Sequence, residues 1–581
     1  MRWSYRSADD SEISRLSAEA SIPPILARIL LARGIRGGEE ASRFLSPSLD
    51  QLHSPFAMTG MRAALDRLSA AIELREPVLI YGDYDVDGTT AVVILKTAIE
   101  LCGGSADFHV PHRIRDGYGM KDDVIERAAS AGTRLIISVD TGIRAFAAAE
   151  TARRVGVDLI VTDHHLPEEG EGVPVALAVL NPNQAGCEYP CKALCGAGVA
   201  FKLAQALLEK SGQQRLLPSF LKMVAIATIA DAVPLTGENR VFASLGLEGL
   251  RNPVNPGLRA LMEVSALDAS RPLTATDVAF RLAPRINAAG RMDVARDVID
   301  LFHSKDLDKA REIAGRLNQL NIERQQEEQR IVASMQQRME AEPELQESFC
   351  IVLDGEGWHR GVIGIAASRI VDRWHRPALV VSVDGEEAHG SGRSIPAFHL
   401  LNALESCREL FSRFGGHAHA VGFALPSERL PVLRKALDAY ARARLTLADF
   451  EPVLQLEGEL PLSQITPALY EQVCRLQPFG MGNREPVFGA HGVRMTLPPR
   501  IVKEKHAKLR VADASVASPR SFAAMGWRMA ERIQSSGLLA GDLVDIAFTL
   551  EHNPHPDFGG LELRLEDFAP PVPEAAAATQ V

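Results

Sequence analysis

The chain has 581 residues, 46% of them hydrophobic, and a formal net charge of −11 at pH 7. That length implies about three or four domains with ample material for folded cores. The acidic balance argues against a general polyanion binder, so any nucleic acid must meet local basic patches. No N-terminal apolar segment resembles a signal peptide and no apolar run approaches membrane-span length. The expectation is a cytoplasmic chain without membrane association, its seven cysteines reduced thiols.

Residues 1–70 are mixed in character and include Pro23-Pro24, and they read as an N-terminal extension. Residues 71–235 alternate predicted strands and helices. Within them, 78–88 read V-L-I-Y-G-D-Y-D-V-D-G. The apolar run 78–81 predicts a buried strand that stops at Gly82. Asp83, Asp85 and Asp87 follow at alternate positions, and three anions so close are unfavourable unless a cation sits among them. A helix predicted over 89–101 begins beside them, and its N-terminal dipole favours anions. Three more apolar segments end alike. Residues 134–139 lead to Asp140-Thr141-Gly142, 157–162 to Asp163-His164-His165, and 223–230 to Asp231. In a parallel sheet such ends share one edge, where active sites gather. Cys187, Cys191 and Cys195 are spaced by four, but Pro190 interrupts them and the spacing is long for zinc. They read as reduced thiols near a loop.

Residues 236–345 read as helical. Between Lys305 and Glu342 there is no proline, and Ile313, Leu317 and Leu320 repeat at helical spacing. One long helix is predicted there, joining two α/β lobes. The second lobe, 346–448, begins with a strand in 349–354 that runs into a glycine-rich turn carrying His359 and Arg360. Further turns carry Ser391, Arg393, Ser394, Gly416 and His417. Glycine permits close backbone approach, while Ser and Arg offer hydrogen bonds and charge to phosphate. Residues 449–568 alternate as short strands and read as a small β-barrel. Its basic stretch 500–510 includes Lys503, Lys505, Lys508 and Arg510 and suits nucleic acid. Residues 569–581 read as a disordered tail.

The clustered ligands are carboxylates with one or two imidazoles and no thiolate, which favours Mn2+ or Mg2+ over structural zinc. There are more carboxylates than one ion needs. A pair of divalent ions bridged by a shared carboxylate would use them, as in two-metal phosphoesterases that activate water against phosphorus.

Asp163-His164-His165 together with G-D-Y-D-V-D-G resembles the DHH phosphoesterase superfamily. I-A-D-A-V-P-L (229–235), A-P-R-I-N-A-A-G-R-M (283–292), G-W-H-R-G-V-I-G-I-A-A-S-R (357–369), S-G-R-S (391–394) and G-G-H-A-H-A-V-G-F (415–423) follow in the order of its single-strand-specific DNA exonucleases, which work in the 5′-to-3′ direction. The resemblance covers about residues 70–565. It implies a DHH catalytic lobe, a DHH-associated substrate-binding lobe and an oligonucleotide-binding barrel. It implies hydrolysis of single-stranded DNA to 5′-mononucleotides with two divalent ions, in DNA repair, mismatch repair and recombination. A single-strand binding protein and a RecQ-type helicase would be partners, and the lobed architecture suggests a monomer.

By motif position, the resemblance implies that Asp85 and Asp140 hold one ion. Asp87, Asp140, His164 and Asp231 would hold the other, with Asp83 a further candidate ligand. His165 would face the substrate phosphate. Arg285, Asn287, Arg291 and His359 would stabilise charge on the phosphorus oxygens. Arg113, Ser391 and Arg393 would form a terminal-phosphate pocket, and Tyr118 would stack on a base. One departure is visible: P-H-R at 111–113 stands where Pro-Asn-Arg is expected. Two other readings compete. One is a relative acting on short oligonucleotides or cyclic dinucleotides, against which the barrel argues. The other is a non-catalytic single-strand binding protein, against which the full set of acids and histidines argues.

Overall fold

The structure is a computed structural model that describes residues 1–570 apart from 114, 169, 293–294, 517–518 and 556–558. The chain forms two compact units. One is Leu52–Pro452; the other joins Met1–Gln51 to the segment from Val453 onward. No described helix is long and apolar enough to cross a membrane.

In the Leu52–Pro452 unit, the apolar runs form a five-stranded parallel sheet. Its order is Ala106–His109, Val78–Gly82, Leu135–Val139, Asp158–Thr162, Ala178–Leu180. The second strand in sequence pairs on one side of the first, and all later strands lie on the other. Val78–Gly82 and Leu135–Val139 therefore flank the switch point, where a crevice opens at the carboxyl ends. Strand side chains alternate between two cores. Leu135, Ile137 and Val139 join the larger core. Ile136 faces the smaller one with Ile125, Ala148 and Ala152.

One predicted element differs. The apolar run 223–230 is the end of a helix, Leu217–Ala230, so Asp231 arrives from a helix C-terminus and not from the sheet. An uninterrupted apolar run is the pattern of any element buried all round, so strand and helix look alike in it.

The long helix spans Leu307–Ala341, 35 residues, or roughly 50 Å at 1.5 Å per residue. Ala310, Ile313, Ala314 and Leu317 pack in the core of the first lobe. Ile331, Met335 and Met339 pack in the core of the second. That lobe is a five-stranded mixed sheet ordered Arg413–His417, Ala420–Pro426, Glu387–Arg393, Ala378–Asp384, Ile351–Glu356. Only the last two strands pair in parallel. Helix Ile363–Trp374 covers one face, through Ile363, Ala366 and Ile370 against Ile351, Leu353 and Val380.

The other unit is built on a closed barrel. Phe488–Val502, His506–Ala512, Ser521–Gly526, Gly560–Ala569 and Leu543–Asn553 pair in that order, and the last pairs back to the first. Closure leaves these strands no free edge. The N-terminal 51 residues belong here by packing: Ile13, Leu16, Leu26, Ile29 and Leu30 share one core with Phe488, Met495 and Phe548. Of the expected tail, Ala569 ends the last strand, and residues 571–581 lie outside the described residues.

Candidate active site

Asp83, Asp85 and Asp87 leave the carboxyl end of Val78–Gly82, and Asp140 leaves that of Leu135–Val139. These are the two strands of the switch point. Asp85 caps helix Val86–Leu101, its carboxylate accepting from the Gly88 N–H at 3.0 Å. Asp87 lies in the first turn of that helix and accepts from the Gly196 and Ala197 N–H groups at 2.6 and 2.8 Å. Those two donors open helix Gly196–Lys210, so the Asp87 charge sits on its positive end. Asp140 adopts φ +57°, a left-handed conformation that Asp tolerates better than most residues. A Cβ at Gly196 would lie 2.5 Å from the Asp140 carboxylate, so only glycine fits there.

Three overlapping groups bring ligand atoms within 4.8 Å of one another. They are Asp83, Asp85 and Asp140; Asp87, His164 and Asp231; and Asp140, His164 and His165. His164 Nε2 lies 3.3 Å from Asp140 and 3.8 Å from both Asp87 and Asp231. Buried oxygens of Asp83, Asp140 and Asp231 have no hydrogen-bond partner. Burial, then Asp87 and the other site acids, holds the Asp140 carboxyl well above the usual range. Burial and Asp85 do the same to Asp83. Burial and then Asp87 push Asp231 up to about 9. So many desolvated acids cannot all ionise without positive charge among them. Burial lowers the His164 pKa, which keeps the imidazole neutral as a ligand must be. Oxygen-rich donors with a neutral imidazole fit Mn2+ or Mg2+. Among the described residues no cysteine joins such a group, and Cys187, Cys191 and Cys195 are free thiols.

Asp163, which the sequence offers as the first letter of D-H-H, turns out to be the organiser of both histidines. It is buried and accepts from the N–H groups of Ile143, His164 and His165 and from His165 Nδ1 at 2.7 Å. Burial opposes a charge on His165, but the Asp163 hydrogen bond and the charges of Asp163, Asp231 and Asp87 together outweigh it and raise its pKa to about 9. Asn181 and Asn183 donate to the His165 and His164 carbonyls, both at 2.8 Å. The N-P-N at 181–183 after strand Ala178–Leu180 was the available signal for this clamp. The Gly196 helix start had none, because its partner Asp87 is 109 residues away.

A second constellation is cationic. Arg291 is half-buried and donates to the Gly361 carbonyl at 2.9 Å, linking the two lobes. Burial, then Arg113 and Arg324, lowers its pKa to about 10. Burial, then Arg113, lowers that of Arg393. Arg113 stacks over Tyr84, 4.9 Å from its ring centre. Arg393 donates to the Ser391 hydroxyl at 3.3 Å. Three guanidiniums repelling one another in a half-buried place are a ready site for an anion. His112 accepts from the Arg115 N–H through Nδ1 at 3.2 Å, so its ring ties the loop that presents Arg113.

The remaining candidates divide. Tyr118 is exposed beside His165, its hydroxyl 3.4 Å from Nδ1. Asn287 accepts from the Val86 N–H at 3.1 Å and so buttresses the helix that carries Asp87. His359 accepts from the Gly361 N–H at 3.1 Å, beside the Arg291 contact. Arg285 turns to Asn318 and the Arg281 carbonyl, and none of its hydrogen bonds goes to the acids. The Ser394 hydroxyl donates to the Phe398 carbonyl, and Gly416 makes a close turn against the Ala420 carbonyl. His417 is exposed at the sheet edge, near enough to Arg393 to feel its charge. Arg360 pairs with Asp384 at 3.3 Å. On the barrel, Lys503 and Lys505 occupy an exposed hairpin turn, and Lys508 and Arg510 point outward between buried Ala507, Leu509 and Val511.

Three family models match: "DHH family, N-terminal domain" over residues 77–228, "DHHA1 domain" over 347–443 and "RecJ OB domain" over 456–567. A single-stranded-DNA-specific exonuclease RecJ of Bacillus subtilis is 40% identical over 84% of this chain; the match spans 61% of that relative's length. The RecJ of Dickeya dadantii is 37% identical over 84% of this chain and 87% of its own. A crystal structure of Thermus thermophilus RecJ in complex with Mn2+ superposes with a TM-score of 0.83, at 29% identity, covering 98% of this chain and 80% of that one. With its DHH, DHH-associated and barrel regions in that order and a donor set suited to divalent ions, the chain belongs to the RecJ family of single-stranded-DNA-specific exonucleases.

Proposed function

We propose that this chain hydrolyses single-stranded DNA from the 5′ end and releases 5′-mononucleotides. The observation that carries the reading is the pairing of two constellations in one unit: converging acids whose buried oxygens lack partners, and a trio of mutually repelling arginines. Divalent ions held by Asp83, Asp85, Asp87, Asp140, His164 and Asp231 supply Lewis acidity and lower the pKa of water. The protein's own groups do the rest. Asp87 is fixed by two backbone donors and His164 by the Asp163 and Asn183 contacts, so the donors are set before substrate arrives. His165, charged through Asp163, offers a cation to a phosphate oxygen. Arg113, Arg393 and Ser391 hold the terminal 5′ phosphate and so set polarity. Tyr118 stacks on a base without regard to sequence. Hydrolysis breaks the bond from phosphorus to the 3′ oxygen, and the leaving nucleotide keeps its own 5′ phosphate. The barrel's outward Lys503, Lys505, Lys508 and Arg510 hold the following strand through its phosphates. In this reading, strands with free 5′ ends arise where a RecQ-type helicase opens duplex during repair, and a single-strand binding protein coats them.

The test is a time course with Mn2+ on a long single strand labelled at either end, beside Asp140→Ala. The expected result is mononucleotides from the 5′ end, absent in the variant. Cleavage of dinucleotides with none of long strands would move the assignment to the short-oligonucleotide relatives.

A further inference from the structure

The cleft continues past the arginine trio. A cavity of about 410 Å³ has Arg113 and Ser391 on its wall and extends to Arg360, His389, Arg413 and Gly422. Strand register explains its shape. Gly415, Gly422 and Ser391 lie side by side across three strands. Arg413, Ala424 and His389 form the row two residues to one side; His417, Ala420 and Arg393 form the row two residues to the other. Residues two apart face the same way, so all three rows look out from one face of the sheet. The middle row is bare. A Cβ at Gly415 or Gly422 would meet nothing within 4 Å, and neither glycine has a positive φ. Open space, and not backbone strain, is what these glycines preserve.

The charges around that space are arranged for an anion. Arg413 is exposed and has no ion-pair or hydrogen-bond partner for its side chain among the described residues. The counter-charge of Arg360, Asp384, is 79% exposed, so it sits toward solvent and leaves the inner side positive, while His389, whose pKa burial and then Arg360 lower, adds a neutral imidazole to that wall. Helix Ile363–Trp374 begins at this wall, and a Cβ on its Gly364 would lie 2.9 Å from the Ser391 hydroxyl. Rows on a strand face are about 7 Å apart. One row is therefore a suitable step for a second and third phosphate attached to the one that Arg393 and Ser391 hold.

We infer that this pocket accepts the β and γ phosphates of a 5′-triphosphorylated strand end, with Arg413 and His389 as their partners and the Gly415–Gly422 floor as the space they occupy. The inference rests on the proposed 5′-end reading. The chemistry is the same hydrolysis: water adds to the phosphorus between the first and second nucleotides, and the 3′ oxygen of the first leaves. The first nucleotide departs as a nucleoside triphosphate with a 3′ hydroxyl, and the second gains the 5′ phosphate that starts the next cycle. The class of reaction that supplies such ends is strand synthesis begun without a primer.

The experiment uses the full chain with Mn2+ and two single-stranded DNAs of one sequence, bearing a 5′ monophosphate or a 5′ triphosphate. Products are identified by anion exchange and mass. The expected result is degradation of both, with a nucleoside triphosphate as the first product of the second. Arg413→Ala should slow the triphosphate strand about tenfold, the scale of one lost charge-assisted contact, and leave the monophosphate strand unchanged. Gly422→Ala, whose added Cβ meets nothing within 4 Å and so takes up floor space without a clash, should do the same and guards against a misfolded variant. Refusal of the triphosphate strand beside normal use of the monophosphate strand would overturn the inference alone. So would equal rates in wild type and both variants. Digestion of both strands from the 3′ end would overturn the 5′-end reading together with it.

Discussion

Asp231 shows how a single carboxyl links stability to the metal. Burial, then Asp87 and Asp85, raises its pKa from 3.8 to about 9 in the metal-free fold. Between those values the folded state holds a proton that the unfolded state has released, so stability falls as pH rises through that window. His165 adds to the fall. Its pKa is also about 9 against an ordinary 6.5, because the Asp163 bond and the charges of Asp163, Asp231 and Asp87 together outweigh burial, so its contribution is present below about 6.5 and gone above about 9. Metal-free protein should therefore melt at progressively lower temperature from pH about 5 to about 9. Mn2+ should raise the melting temperature most at the alkaline end, where no proton competes for the carboxylates. Asp231→Asn should flatten the metal-free slope. A melting temperature that climbs with pH in the absence of metal would contradict the assignment. At the other constellation, Arg393→Ala should weaken preference for a 5′-phosphorylated end about tenfold while Mn2+ binding is unchanged, read by paired 5′-phosphate and 5′-hydroxyl strands and by a metal titration. The acids and both histidines were legible in the sequence because each is an ionisable residue at or just past the end of an apolar run. What organises them was not. Asp163 was in plain view but its role depends on which N–H groups converge on it, and the Gly196 donors come from an element far away in sequence.

At the scale of elements, helix Leu307–Ala341 explains a pattern that sequence alone leaves odd. Its apolar stripe of Ile313, Leu317 and Leu320 fades for about three turns before Ile331, Met335 and Met339 take over. The gap is where the helix leaves one core for the other, and the buried residues there are Asn321, Arg324 and Glu328. Arg324 donates to Glu328 at 2.5 Å and to Asn321 at 2.8 Å, and Arg369 of the second lobe donates to the other Glu328 oxygen at 2.8 Å. Glu328 therefore pairs its own helix to the helix Ile363–Trp374. Removing it strands the buried Arg324 charge, so Glu328→Ala should cost about 3 kcal/mol in chemical denaturation. Arg369, whose side chain is 54% exposed, should cost about 1 kcal/mol or less as Arg369→Ala. The two-lobe plan and the long helix could be read from period and composition. The helical identity of Leu217–Ala230 could not, because a segment buried on all sides carries no amphipathic period.

At the scale of the whole molecule, the two units have different claims to independence. Met1–Gln51 and the barrel are far apart in sequence but share one core, so neither is complete alone. Strand Arg2–Tyr5 pairs in parallel with Val453–Leu456. The Trp3 indole donates to the buried Asp567 at 2.7 Å, and the Tyr5 hydroxyl meets His491, whose other nitrogen lies 2.9 Å from the buried Asp545. Deleting residues 1–51 removes the packing of Ile13, Leu16, Leu26, Ile29 and Leu30 against the barrel and leaves Asp567 without its indole donor. Each of the larger apolar side chains is worth roughly 1.5–3 kcal/mol of burial, so the total is comparable with the stability of an ordinary domain. Residues 52–452 hold every proposed metal ligand and the cores of both lobes. A chain beginning at residue 52 should thus unfold in two steps, an early loss of barrel structure followed by a later transition that Mn2+ still shifts upward. The fragment 52–452 alone should show only the later transition. Calorimetry of the three proteins with and without Mn2+ decides it. One unchanged transition after removal of residues 1–51 would mean that the barrel does not depend on them, and loss of the Mn2+ shift in 52–452 would mean that the metal centre needs the other unit to form.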